Sequence, residues 1–150
     1  MSIKEQISAD IKTAMKSKDS VKLMVLRGLS SSFSNKEIEL RSSGKEATDE
    51  DYLKVVASEA KKRKDSIEAF TSGGRADLAD KEKVELEILS GYLPTQMSRE
   101  EAEAKVKSIL ESNPEAKTNI GQAMKLVMAE IGQSADGKMI SELVRQFING

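Results

Sequence analysis

The sequence predicts an all-α protein, with a helical N-terminal lobe of about four helices followed by a small C-terminal three-helix bundle. Three observations carry that expectation. Apolar residues recur at intervals of three and four along almost the whole chain. No stretch sustains the apolar/polar alternation of a half-buried strand. The breaks in the helical pattern fall on Gly, Pro and short polar runs, the residues that end helices and turn chains. With 150 residues the chain can bury a real core in one or two such lobes and no more.

Ile3, Ile7, Ile11, Ala14 and Met15 form the apolar face of a first helix, which Ser17-Lys18-Asp19-Ser20 interrupts. A second helix carries Leu26, Leu29, Phe33, Glu37 and Leu40 on its stripe and ends near Ser42-Ser43-Gly44, where glycine takes the left-handed closing position. Thr48 followed by Asp51 has the spacing of a capping box and opens a third helix through Phe70. After the Ser72-Gly73-Gly74 break, a fourth runs from about Asp77 to Leu93 on Leu78, Glu85, Ile88, Leu89 and Tyr92. Pro94 stops it by pushing Leu93 out of helical dihedrals. Ser98 with Glu101 starts a fifth helix whose inner face is Ala102, Val106, Ile109 and Leu110, and Asn113-Pro114 closes it. The sixth uses Ile120, Met124, Val127, Met128 and Ile131 and stops at Gly132; the seventh follows Ala135-Asp136-Gly137 on Ile140, Leu143, Val144 and Phe147. At Pro94-Thr95-Gln96-Met97 a proline stops one helix just before the Ser98/Glu101 box starts another, so the domains are expected at 1–94 and 98–150.

Composition excludes several chemistries. The chain has no Cys and no His, so thiolate nucleophiles, His-based triads, disulfides and the usual N/S zinc site are out of reach. Charges balance at 24 Lys+Arg against 25 Asp+Glu, and the second lobe holds 7 basic and 8 acidic residues, so any contact with nucleic acid has to be local. Unbroken aliphatic runs reach four residues, far short of a membrane span, and Lys4, Glu5, Asp10 and Lys12 break up the N-terminal stretch where a signal peptide would need an apolar run. A cytoplasmic location, with no membrane partner, is the expectation. There is no GxxxxGK[ST] pattern to cradle a nucleotide, so ATP is not implied, and neither a cofactor nor a metal is expected.

Three charged residues sit on otherwise apolar stripes: Glu37 on the second helix, Arg63 on the third beside Val56, Ala60, Ile67 and Phe70, and Glu85 on the fourth. An inward lone charge is too costly, so the three are expected to satisfy one another as a structural network, Arg63 offering its planar fork to one or both carboxylates. The competing reading, a carboxylate pair for acid–base or metal chemistry, is disfavoured because a nearby Arg lowers carboxylate pKa values. The run Lys61-Lys62-Arg63-Lys64 is spread around its helix at 100° per residue and is opposed by Glu59, Asp65 and Glu68, which makes it a solvated surface. Phe33, Phe70, Tyr92 and Phe147 fall on apolar stripes, leaving Tyr52 as a free aromatic platform. Before the last helix, Asp136 is expected to cap the helix itself, in place of a phosphate at that end. Lys117, Lys125, Lys138 and Arg145 are the basic residues of the last two helices and their approach.

Five segments, taken in order and spacing, carry a family resemblance: Ala9-Asp10-Ile11-Lys12-Thr13-Ala14-Met15-Lys16, Lys62-Arg63-Lys64-Asp65-Ser66, Gly74-Arg75-Ala76-Asp77-Leu78, Tyr92-Leu93-Pro94-Thr95-Gln96 and Ala135-Asp136-Gly137. Together they resemble the YqeY-like family over nearly the whole chain. Asn119-Ile120-Gly121 departs mildly, standing where that family often has Met-Gly. The resemblance implies a helical N-terminal lobe and a C-terminal three-helix domain similar to the tail of the B subunit of the bacterial tRNA-dependent amidotransferase, which helps hold tRNA. It also brings an association with carbon–nitrogen ligases that use glutamine as amido donor. The amidase Ser-Ser-Lys centre and the ATP-using body of that enzyme have no counterpart here.

The expected function is therefore a non-catalytic tRNA-binding or amidotransferase-associated module, with Lys125, Lys138 and Arg145 as the RNA-facing candidates and no catalytic residue. A protein–protein adaptor whose small C-terminal bundle docks onto a partner, with no RNA role, is the alternative. An enzyme built on Glu37 and Glu85 ranks last. The partners to expect are thus a tRNA or a protein.

Overall fold

Ser2 starts the first helix, α1 (Ile3–Ser17): its hydroxyl accepts from the Glu5 N–H while the Glu5 carboxylate accepts from the Ser2 N–H, a closed capping box. The computed structural model describes residues 2–149, and among them the regular structure is seven α-helices with two short 3-10 turns and no strand. α1 ends at Lys18, which adopts φ 58° so that the Asp19 N–H reaches the Ala14 carbonyl at 3.0 Å. A left-handed Lys costs about 1 kcal/mol that a glycine there would not. Asp19 then caps α2 (Ser20–Ser42), accepting from the Lys22 N–H at 3.1 Å.

α2 closes on Gly44 at φ +73°, with the Lys45 N–H on the Leu40 carbonyl at 2.9 Å. This is the left-handed closing position expected of Gly44. Thr48 and Asp51 form the full reciprocal box that opens α3 (Asp49–Ser72). Gly74, again at φ +73°, turns the chain into α4 (Ala76–Ser90), which packs on α3 more extensively than any other helix does. α4 ends three residues before the expected Leu93. Pro94 bars Leu93 from the helical region and Gly91 is a weak helix former. The last turn therefore tightens, with Tyr92 and Leu93 N–H groups bonding the carbonyls of Leu89 and Ser90 three residues back.

The described chain falls into two compact units, Met1–Leu93 and Pro94–Gly150. The core of the first joins Ile7 of α1, Val25, Leu26, Leu29 and Phe33 of α2, Tyr52, Val56 and Ala60 of α3, and Leu89 of α4. Two residues depart from their expected places. Met15 is 54% exposed, because it lies 100° round the helix from Ala14, which takes the buried position in line with Ile7. Tyr52, expected as a free platform, is buried against Phe33 with ring centroids 4.6 Å apart and planes tilted by 41°. One turn of helix separates it from Val56, and that places its ring on the core face.

The second unit packs α5 (Arg99–Ser112), α6 (Ile120–Ile131) and α7 (Gly137–Asn149) pairwise around Val106, Leu110, Val127, Ile140, Leu143 and Val144, each almost fully buried. All four residues expected on the inner face of α5 are in this core. Ile120 is not; it is 42% exposed at the first position of α6, with Ala123 facing inward in its place. A 3-10 turn, Pro114–Thr118, follows α5 and buries Ala116. Residues 94–97 are stitched into this unit and are not a free link: the Met97 N–H donates to the Ser134 carbonyl at 2.7 Å, and the Gln96 amide donates to the Gln133 carbonyl at 2.8 Å.

Candidate functional site

The three basic candidates of the second unit are exposed, Lys125 on α6 and Lys138 and Arg145 on α7. None has a carboxylate within ion-pair distance among the described residues. Seven residues at 100° each place Lys138 and Arg145 within about 20° of one face. Glu142 stands between them on that face and would neutralise it, but its carboxylate is drawn to Arg99 of α5 at 3.5 Å. Arg99 was invisible as a participant in the sequence, since it lies 43 positions from its partner. The Asp136 carboxylate accepts from the Lys138 N–H at 3.2 Å, so the start of α7 is occupied by its own cap.

Arg63 sits between helices α3 and α4. Its Nε lies 3.5 Å from Glu82 and 3.7 Å from Glu85, and its Nη1 lies 3.9 Å from Glu59. Glu85 is thus beside Arg63, as the stripe reading has it. Glu37 is not part of this group. Its carboxylate instead accepts from Lys4 of α1 and from the Tyr52 hydroxyl, the latter at 2.7 Å. The reason is position: Glu37 lies one turn beyond Phe33, and Tyr52 packs on Phe33, so the phenol arrives at that carboxylate. Glu59 and Glu82, which no apolar stripe singled out, take the place expected of Glu37. Along the basic run, Lys61, Lys62 and Lys64 are exposed, and Lys62 pairs with Glu59 at 3.1 Å.

The hydrogen bonds from Lys4 and Tyr52 hold the Glu37 carboxyl below its ordinary value of 4.5. Burial, with the Glu37 charge beside it, pushes the Tyr52 phenol up to about 12, so it remains a neutral donor at neutral pH. A carboxylate held ionised in this way is a poor proton donor, and Glu37 and Glu85 line different clefts. The enzyme reading that paired them loses its geometry. Because the folded-state value is depressed, the contribution of Glu37 to stability is present above about 4.5 and is lost as pH falls through the lower folded value. Lys4→Met is expected to raise the Glu37 midpoint toward 4.5, read by an NMR titration of its side-chain carboxyl carbon. An unchanged midpoint would mean that Lys4 does not act on it.

Tyr92 donates from its hydroxyl to Asp10 of α1, tying the segment after α4 to the first helix. Burial first, then this carboxylate, raises its pKa well above the ordinary phenol. No helix among the described residues is long and apolar enough to cross a membrane.

The family model described as Yqey-like protein matches residues 4–148. Among curated proteins the chain is similar to "Altered inheritance of mitochondria protein 41, mitochondrial" from several fungi. The Pyrenophora tritici-repentis protein is 30% identical over 95% of this chain and 79% of its own length. That from Lachancea thermotolerans is 36% identical over 94% of this chain and 79% of its own. The Saccharomyces cerevisiae protein is 34% identical over 83% of this chain and 68% of its own.

Proposed function

The chain belongs to the YqeY-like family, and from that premise we propose that it is a non-catalytic module that binds tRNA, or works beside a tRNA-dependent amidotransferase, through its second unit. The observation that carries this reading is the face of α7. There Lys138 and Arg145 are aligned and exposed, the carboxylate between them is engaged by Arg99, and Lys125 is exposed on α6. Cations free of partners are the groups that displace counterions from a phosphate backbone. The buried aromatics favour binding by shape and phosphate over base stacking. The absence of Cys and His from the chain supports a non-catalytic role.

Reversing Lys125 and Lys138 to Glu together tests the assignment. The double variant is expected to bind tRNA at least about tenfold more weakly at low ionic strength, with unchanged helix content. Equal affinity of the double variant and the wild type would remove this face from the account and bring forward the adaptor reading. In that second reading the small C-terminal bundle docks onto a protein partner and has no RNA role. We place the working compartment in an aqueous interior, the cytoplasm in the reading of the sequence; the fungal relatives are named as mitochondrial.

A further inference from the structure

A cleft of about 280 Å³ opens beside the Arg63 group in the first unit. Its walls are apolar, with Met24, Val25 and Leu29 from α2 and Leu89 from α4, and its floor holds Glu59, Arg63 and Glu85. The charges on that floor do not balance. Three carboxylates, Glu59, Glu82 and Glu85, surround one guanidinium, and Lys62 offsets Glu59 alone. Arg63 Nε carries one proton and makes no hydrogen bond with either Glu82 or Glu85, and Glu82 Oε2 is likewise buried without a donor. Glu85 is 8% exposed, lines the cleft, and accepts no hydrogen bond among the described residues. A carboxylate this enclosed, with Arg63 Nε 3.7 Å away and no hydrogen bond to it, has room for a further donor.

The space above it is kept open by Gly28. This glycine stands in the middle of the 23-residue α2, where glycine is a poor helix former, and a Cβ built on it would meet nothing within 4 Å. Apolar walls leading down to an under-neutralised carboxylate match a long side chain that is alkyl along its stem and cationic at its tip. Net negative charge on the floor rules out phosphate-bearing ligands. The cleft is smaller than most small-molecule sites and has Met24, 53% exposed, on its wall for contact with a surrounding surface.

We propose that this cleft is a docking site for an arginine or lysine side chain presented by a protein partner, with Glu85 as the counter-charge and Met24, Leu29 and Leu89 packing the alkyl stem. The site lies in the other unit from the proposed RNA face and stands or falls independently of it. A partner held here would be chosen by its basic residue, since a neutral side chain of the same length would leave the Glu85 charge without a counter-charge.

The test is an amide NMR titration of the full chain with a short capped peptide containing one arginine, beside the same peptide with citrulline in its place. Saturable shifts centred on Met24, Gly28 and Glu85 are expected with arginine, and affinity roughly tenfold weaker with citrulline. Glu85→Gln should lower affinity for the arginine peptide to about the citrulline level. Gly28→Leu fills the cleft without touching a charge; it should abolish the shifts while the variant melts no lower than wild type. Equal binding of the two peptides, or unchanged binding by a folded Gly28→Leu chain, overturns the proposal. Free arginine binding as tightly as the peptide would overturn the protein-partner assignment. So would shifts across residues 94–149 on introducing Gly28→Leu, which would mean the chain covers this cleft itself.

Discussion

Leu143→Ala is expected to destabilise the second unit by about 3–4 kcal/mol. Leu143 is fully buried on α7 between α5 and α6, in a unit of 57 residues that has one small core. Deleting its isobutyl group removes transfer free energy and leaves a void that helices held by so few other contacts cannot close. The measurement is amide hydrogen exchange through a mild thermal ramp. Protection in α5, α6 and α7 should fall well below wild type while α1 to α4 keep theirs. Equal loss along the whole chain would mean that the two units unfold as one, and that the C-terminal unit cannot be studied apart.

Arg63→Ala is expected to cost the first unit about 2–3 kcal/mol. A fully buried pair broken on one side costs more, but Arg63, Glu59 and Glu82 are each partly open to solvent, which screens the stranded charges. The sign rests on Glu85, the most buried of the three, which would be left with no cation beside it. Arg63→Met should cost less, because the methionine keeps the packing of the alkyl stem. Adding Glu85→Gln to Arg63→Ala should recover about 1 kcal/mol, since the amide carries no charge to strand. Denaturant melts with both Arg63 variants within about 0.5 kcal/mol of wild type would place Arg63 on an indifferent surface.

How far the molecule was legible in its sequence depends on the range of the interaction. Features set within one or two turns could be read. The Thr48–Asp51 box, the left-handed Gly44, the inner face of α5 and the Asp136 cap all depend on neighbours within a few positions. Features set by packing partners could not. Helical spacing marks a broad apolar sector but not which edge of it meets a neighbouring helix, which is why spacing alone puts Met15 and Ile120 inside and Tyr52 outside. The same limit applies to charges. That Glu37, Arg63 and Glu85 needed partners followed from their stripes; that Glu37 meets Lys4, 33 positions away, and that Glu82 stands beside Arg63, followed only from the fold. At the candidate RNA face the cations could be read from residue type, whereas the Arg99–Glu142 pair that unmasks them needed α5 and α7 side by side.

The most direct test of the tRNA assignment is the salt dependence of tRNA binding by the full chain, titrated from low to physiological ionic strength. Three free cations on α6 and α7 predict that log affinity falls linearly with log salt, with a slope of roughly −2 to −3. The Lys125→Glu, Lys138→Glu variant should lose most of that slope. Binding that is indifferent to salt, or a slope that the double variant leaves intact, would contradict the assignment of RNA to the second unit.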